Sequence, residues 1–199
     1  MSKKLQKIAV LTSGGDAPGM NAAIRSVVRT CAYHKIDCVG VFRGYEGLID
    51  GDFIPLDARS VRGIINKGGT FLKSARSKRF MTKEGRKTAY DKLIEADIDG
   101  IVLIGGDGTF TGGLVFNIEY DFPVMGIPGT IDNDINGTDR TLGYDTALNT
   151  AVEAIDKIRD TAHSHDRLFF VEVMGRDVGH IALNAGVGAG AEEILIPEE

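Results

Sequence analysis

Short apolar runs alternate with longer amphipathic stretches along most of the chain. Lys7–Ser13, Cys38–Phe42, Gly100–Ile104, Val124–Ile127 and Leu168–Val173 are rich in Val, Ile and Leu, as strands buried on both faces of a parallel sheet are. Between them, Asn21–Tyr33, Lys83–Ala96, Thr109–Ile118 and Thr146–Ala162 place apolar residues three and four apart, which predicts helices. Ala147, Leu148, Ala151, Ile155 and Ile158 form the clearest stripe. Strands and helices of these lengths in alternation predict an α/β fold, with mostly parallel sheets, helices on both faces and mostly right-handed crossovers. Asp50–Leu56 reads as a brief hairpin and Ser60–Asn66 as a short helix. Neither repeat nor low-complexity linker interrupts the pattern. Residues 1–138 are expected to close one α/β domain, and 139–199 to begin a second lobe.

Composition narrows the classes of function. The 199 residues carry 23 basic and 28 acidic side chains, a formal charge of −5, which argues against general attraction to nucleic acid or an anionic membrane. Any anion site must be local. Cys31 and Cys38 fit no disulfide scaffold and are expected to be reduced, buried thiols. No apolar run approaches a membrane span, and Met1–Lys7 is too short and polar for a signal sequence, so a soluble, cytoplasmic protein is expected. His34, His163, His165 and His180 have no zinc-ligand spacing with cysteine.

The 26 glycines cluster where apolar runs end, and three of these clusters carry candidate chemistry. In the first, Thr12–Asn21, Gly14, Gly15 and Gly19 let backbone N–H groups approach an anion at the start of a helix; the alternative is a tight strand-to-helix connection. In the second, Gly105–Thr109, Asp107 is the natural partner for Mg²⁺, although an Asp there could also be a helix N-cap. In the third, Pro128–Asp134, a locally extended backbone would point Asp132 and Asp134 to one side, one of them placed to accept a hydroxyl proton. The alternative there is Asp and Asn making turn hydrogen bonds. Arg76 and Arg176 suit bidentate phosphate binding, against the commoner case of a solvated surface arginine. Neither a Walker loop nor a dinucleotide fingerprint is present, so a phosphate site must be built differently.

Assembled, these segments resemble the ATP-dependent 6-phosphofructokinases: Gly14–Asn21, Ser74–Arg76, Gly105–Gly108, Pro128–Asp134 and Met174–Arg176 match successive family motifs in order. The resemblance implies a phosphofructokinase-like fold, with nucleotide bound by the first domain and sugar phosphate by the second lobe. ATP would meet Gly15, Arg76, Ser77, Gly106, Asp107, Gly108 and Thr109, with Mg²⁺ at Asp107. Asp132 would be the general base, and Arg76 and Arg176 would balance charge in the transition state. Fructose 6-phosphate would meet Thr130, Ile131, Asp132, Asp134, Met174, Gly175 and Arg176, with Arg167 reaching the sugar phosphate of a neighbouring subunit. A tetramer is implied, and Arg25, Arg29, Arg159 and Glu192 resemble an effector site for ADP or phosphoenolpyruvate, with Gly63 departing from the acidic residue common there. Gly108 and Gly129 stand where pyrophosphate-using relatives carry acidic and lysine residues, favouring ATP as donor.

The resemblance covers nearly all of the chain, but family members continue past Ile194–Pro197 into further sugar-phosphate ligands, so the second lobe is expected to be incomplete and the chain truncated. Two rivals stand beside this reading. A kinase of the NAD or diacylglycerol type shares the Gly105–Thr109 pattern but not the segments around Asp132 and Arg176, and a noncatalytic nucleotide or sugar-phosphate binding module needs no turnover.

Overall fold

The computed structural model describes residues 5–165, 167–175 and 177–199. Two compact units divide the chain, Met1–Gly129 and Thr130–Glu199.

The first unit holds β1 (Lys7–Ser13), α1 (Met20–His34), β2 (Asp37–Val41), α2 (Gly44–Asp50), β3 (Phe53–Leu56), α3 (Lys83–Glu95), β4 (Gly100–Gly105), α4 (Asp107–Tyr120) and nearly all of β5 (Val124–Thr130). Its strands stand in the order β3-β2-β1-β4-β5. β1, β2, β4 and β5 run parallel, and β3 returns antiparallel along β2. The mostly parallel α/β sheet expected from the apolar runs is present. The interior strands lack polar alternation because both faces are covered. Ala9, Leu11, Val39, Val41, Ile101 and Leu103 face one core with buried residues of α2, α3 and α4. Val10 and Ile104, also fully buried, belong to the opposite face. There α1 packs on β1, β2 and β4, with Met20, Ile24 and Val28 buried. An aromatic run adds to the first core: Tyr45 stacks on Phe80 at 3.8 Å between centroids, and Phe80 on Phe116 at 5.7 Å.

Sequence β1-β2-β3 proceeds to one side of β1 and β4-β5 to the other, so the order reverses between β1 and β4. Ser13 and Gly105, the last residues of those strands, are register partners. The loops that follow them therefore leave the sheet side by side, at the place where open α/β sheets bind their ligands.

In the second unit, β6 (Leu142–Gly143) is followed by α5 (Tyr144–His165) and α6 (His180–Ala189). Asn184 Nδ2 donates to the Tyr144 hydroxyl at 2.9 Å, and Ile181, Ala185 and Ala189 are buried.

Several expectations are corrected. Leu168–Val173 forms no strand. A strand requires a neighbour for its backbone N–H and C=O groups, and this segment has none among the described residues; Leu168 and Phe170 are 81% and 87% exposed. Asp50–Leu56 is not a hairpin, because Gly51, at φ 72°, ends α2 and the next residues pair with β2. Ser60–Asn66 forms turns rather than a helix: the Asp57 carboxylate draws in the Arg59 and Ser60 N–H groups, and Gly63 is left-handed at φ 72°. Helices α2 and α6 were not expected, since the glycines within them lower intrinsic helix propensity. At Gly47 a Cβ would lie 1.7 Å from the Phe42 carbonyl oxygen, so close packing requires glycine there.

Candidate functional site

The first unit brings three sequence segments to the ends of β1 and β4. In the loop after β1, Gly14 has φ 88° and Gly19, at φ 95°, precedes the first turn of α1. Both values lie in the left-handed region that a side chain disfavours. After β4, Gly106 is the N-cap of α4 and makes no side-chain cap, leaving Asp107 as the first helical residue. The peptide dipoles of this 14-residue helix sum toward positive at Asp107 and Gly108. A Cβ added at Gly15 or Gly108 would meet nothing within 4 Å, so both loops border open space. Asp107 is exposed there, whereas Thr109 is buried.

Hydroxyls and amides lock these loops together. Thr109 Oγ1 donates to the Ser13 carbonyl at 3.1 Å. Ser74 Oγ donates to the Gly14 carbonyl at 2.5 Å. Thr12 Oγ1 donates to the Lys73 carbonyl and lies 2.8 Å from Thr70 Oγ1; with its one proton committed, it accepts from Thr70. Buried Asn21 holds the same strap twice, donating to Lys67 O at 2.9 Å and accepting from Phe71 N at 2.6 Å. Arg76 and Ser77 follow this strap. Arg76 is exposed, and the Ser77 hydroxyl accepts the Phe80 N–H at 3.0 Å.

Tyr45 completes the support. Its hydroxyl donates to the Thr109 carbonyl at 2.6 Å in the core, and burial pushes its ionisation upward, keeping it a neutral donor. Sequence reasoning missed Tyr45, Thr12, Thr70 and Asn21 as supports. Spacing gives no signal for a hydrogen bond between residues 64 apart.

In the second unit, the segment opened by Thr130 is a closed polar loop. The backbone bends at Ile131 and Asp132, and Asn133 is left-handed at φ 54°. The expected extension through Asp134 is therefore absent, so strand-like alternation does not align Asp132 with Asp134. Asparagine tolerates this conformation, and its side chain uses it: Oδ1 accepts Thr141 N at 2.8 Å and Nδ2 donates to Asp139 O at 3.3 Å. Thr141 Oγ1 donates to Thr130 O at 2.6 Å, and Asp132 N donates to Thr130 Oγ1 at 3.3 Å. Asp132 is half-buried and Asp134 exposed.

Arg167 and Met174 are exposed, and Gly175 has φ 138°, while Arg176 lies outside the described residues. Arg25 and Arg29, one turn apart on α1, line an open depression with Ser26, Tyr33 and Ile65. Arg159 donates to the Ala189 carbonyl at the end of α6, and Glu192 is exposed. Cys31 and Cys38 are free and buried, as expected. No described helix is long and apolar enough to cross a membrane.

Glycine-rich loops at adjacent strand ends, flanking a reversal of strand order, define a class of α/β proteins that take ligands at that crevice. The profile of the family described as Phosphofructokinase matches residues 7–199, and the chain belongs to that family. It is 59% identical over 194 residues to the ATP-dependent 6-phosphofructokinase of Cytophaga hutchinsonii, covering 98% of this chain and 59% of that protein. To the ATP-dependent 6-phosphofructokinase 1 of Thermus thermophilus it is 58% identical over 195 residues, covering 98% and 61%. The chain thus spans about three fifths of the length of these relatives. Among solved structures, Saccharomyces cerevisiae phosphofructokinase matches with TM-score 0.91 and 43% identity over 94% of this chain and 28% of that one. Pichia pastoris phosphofructokinase in the T-state matches with TM-score 0.93 and 39% identity, over 99% and 23%.

Proposed function

We propose that this chain carries the nucleotide-binding part and the start of the sugar-phosphate-binding lobe of an ATP-dependent 6-phosphofructokinase. The reaction is transfer of the ATP γ-phosphoryl group to the 1-hydroxyl of fructose 6-phosphate in glycolysis, giving fructose 1,6-bisphosphate and ADP. One observation carries the reading: the loops after β1 and β4 flank the reversal of strand order and border open space at Gly15 and Gly108. A nucleotide fits such a site because backbone N–H groups and the α4 N-terminus supply positive charge in a chain of net charge −5.

Asp132 accepts the proton of the sugar 1-hydroxyl as its oxygen forms the bond to the γ-phosphorus. The bond from that phosphorus to the ADP oxygen breaks, and ADP leaves. Arg76 and Arg176 balance charge on the transferring group. Gly15, Ser77 and Gly106–Thr109 hold the nucleotide, and Thr130, Ile131, Asp134, Met174 and Gly175 face the sugar. Arg167 serves a neighbouring subunit's sugar phosphate within a tetramer, and Arg25, Arg29, Arg159 and Glu192 take the ADP or phosphoenolpyruvate effector.

An exposed carboxylate beside open space suits Mg²⁺ arriving on phosphates, since that ion keeps waters and needs only one or two carboxylates. Asp107 would hold it, and the ion would neutralise phosphate charge. ATP is favoured over pyrophosphate because Gly108 leaves room for the nucleotide. At buried Gly129 a Cβ would come within 3.3 Å of Ile104, which disfavours a lysine there.

A coupled assay for fructose 1,6-bisphosphate, run with Mg²⁺ and either ATP or pyrophosphate on this chain and on one extended to the length of its relatives, tests the reading. Product is expected from the longer chain, with ATP and not with pyrophosphate. Asp132→Asn should lower turnover by about 10²- to 10⁴-fold while ATP affinity stays within about twofold. Unchanged turnover removes Asp132 from the base role. Tight ATP binding without product from either chain would point instead to a noncatalytic binding module.

A further inference from the structure

Two successive carbonyls in the loop after β1 are each held by a hydroxyl from a distant segment: Ser13 O by Thr109 at 3.1 Å and Gly14 O by Ser74 at 2.5 Å. In a planar trans peptide the carbonyl and the following N–H point to opposite sides. Holding Ser13 O on Thr109 therefore turns the Gly14 N–H away from Thr109. Holding Gly14 O on Ser74 turns the Gly15 N–H away from Ser74. Gly14, between these two peptide planes, sits at φ 88°. A glycine there has no Cβ to stop rotation of the plane that follows it. Were that plane to flip, a carbonyl oxygen would replace the Gly15 N–H, and the local dipole would repel an anion instead of attracting it.

Ser74 is itself on a fixed support. The strap that carries it is bound to Asn21 through Lys67 O and Phe71 N and to Thr12 through Lys73 O. Leu72 within it is fully buried, with its carbonyl accepting Arg43 N at 2.9 Å. The Ser74 hydroxyl is thus set by the fold rather than by a ligand.

We infer that Ser74 is a positioning residue for phosphate binding: by holding the Gly14 carbonyl, it keeps the Gly15 N–H presented to the nucleotide's phosphates. Thr109 does the same for the preceding peptide through its side chain. The inference rests on the nucleotide reading above and adds a residue whose contact is with the loop, not with the ligand.

The test is calorimetric titration of this chain, with Mg²⁺ present, against ATP and against adenosine, for wild type, Ser74→Ala and Ser74→Thr. Ser74→Ala is expected to weaken ATP about tenfold, the scale of one lost hydrogen bond, and to leave adenosine unchanged. The Gly15 amide resonance should shift in the same variant, and Ser74→Thr, which keeps a hydroxyl, should restore both values. Loosening of the whole site would weaken ATP and adenosine alike, and that result overturns the inference. So does a Ser74→Ala chain that binds ATP as tightly as wild type, with the functional reading left standing. A wild-type chain that binds no ATP removes the functional reading itself, and the positioning role with it.

Discussion

The two units treat similar apolar runs in opposite ways. In the first, Lys7–Ser13 and Gly100–Gly105 have hydrogen-bonded neighbours on both sides and a core on each face. In the second, Leu168–Val173 is also an apolar run, with Phe169 and Phe170 where those strands carry no aromatic side chain, but it forms no strand among the described residues and is largely exposed. Hydrophobic content nominates a strand; a partner for its backbone groups makes one. The contrast separates residues whose apolar character contributes to the stability of this chain from residues whose apolar character does not.

Truncating one residue of each kind gives the largest expected effect. Leu11, fully buried between β2 and β4, should lose about 2–5 kcal/mol of unfolding free energy as Leu11→Ala, through lost transfer energy and the cavity left behind. Phe170→Ala, at a residue 87% exposed, should change stability by no more than about 0.5 kcal/mol. Urea denaturation of both variants checks the pair. Equal losses would show that the Leu168–Val173 segment is packed in solution and would erase the distinction.

A smaller effect is expected in the polar loop that opens the second unit. Thr141 is buried and its hydroxyl holds the Thr130 carbonyl at 2.6 Å. Thr141→Val keeps the shape and leaves that carbonyl without this donor, a cost of about 1–3 kcal/mol. Hydrogen exchange should accelerate at the Thr141 amide, which donates to Asn133, more than at the first unit's β1 amides. Unchanged exchange would mean that the loop around Asp132 is held by other contacts.

The same division explains what the sequence made legible. Strand ends at Ser13 and Gly105, and the glycine loops after them, are visible because glycine after a buried strand has a local cause. The supports of those loops are not. Ser74 reaches Gly14 across 60 residues and Tyr45 reaches Thr109 across 64, and hydrogen bonds of that span follow from the assembled sheet rather than from spacing. Asp132 was recognisable as a candidate from its motif, but its backbone conformation was not, because the Asn133 side chain bends a segment that the pattern would have left extended.

The finest contrast is electrostatic. In the first unit Arg86 grips Glu119 with two nitrogens, at 2.7 and 2.8 Å, and bridges α3 to α4; their side chains are 12% and 24% exposed. In the second, Lys157 and Glu153 pair one turn apart on α5, with side chains 72% and 71% exposed. Hydrogen bonding from its cation holds each glutamate below its ordinary value of 4.5. A carboxylate with a lowered folded value adds stability above its unfolded value, and that stability is lost as pH falls through the folded one. Glu119→Gln should therefore lower Tm at pH 7, and the difference from wild type should shrink below about pH 4.5 and vanish once Glu119 is protonated in both states. Glu153→Gln should give a smaller difference, since two solvated side chains on one helix are already screened and lose entropy on pairing. Thermal melts of the three proteins at pH 7 and pH 3 decide the point. An equal shift for both variants would mean that the bidentate bridge between helices adds no more than a solvated pair within one.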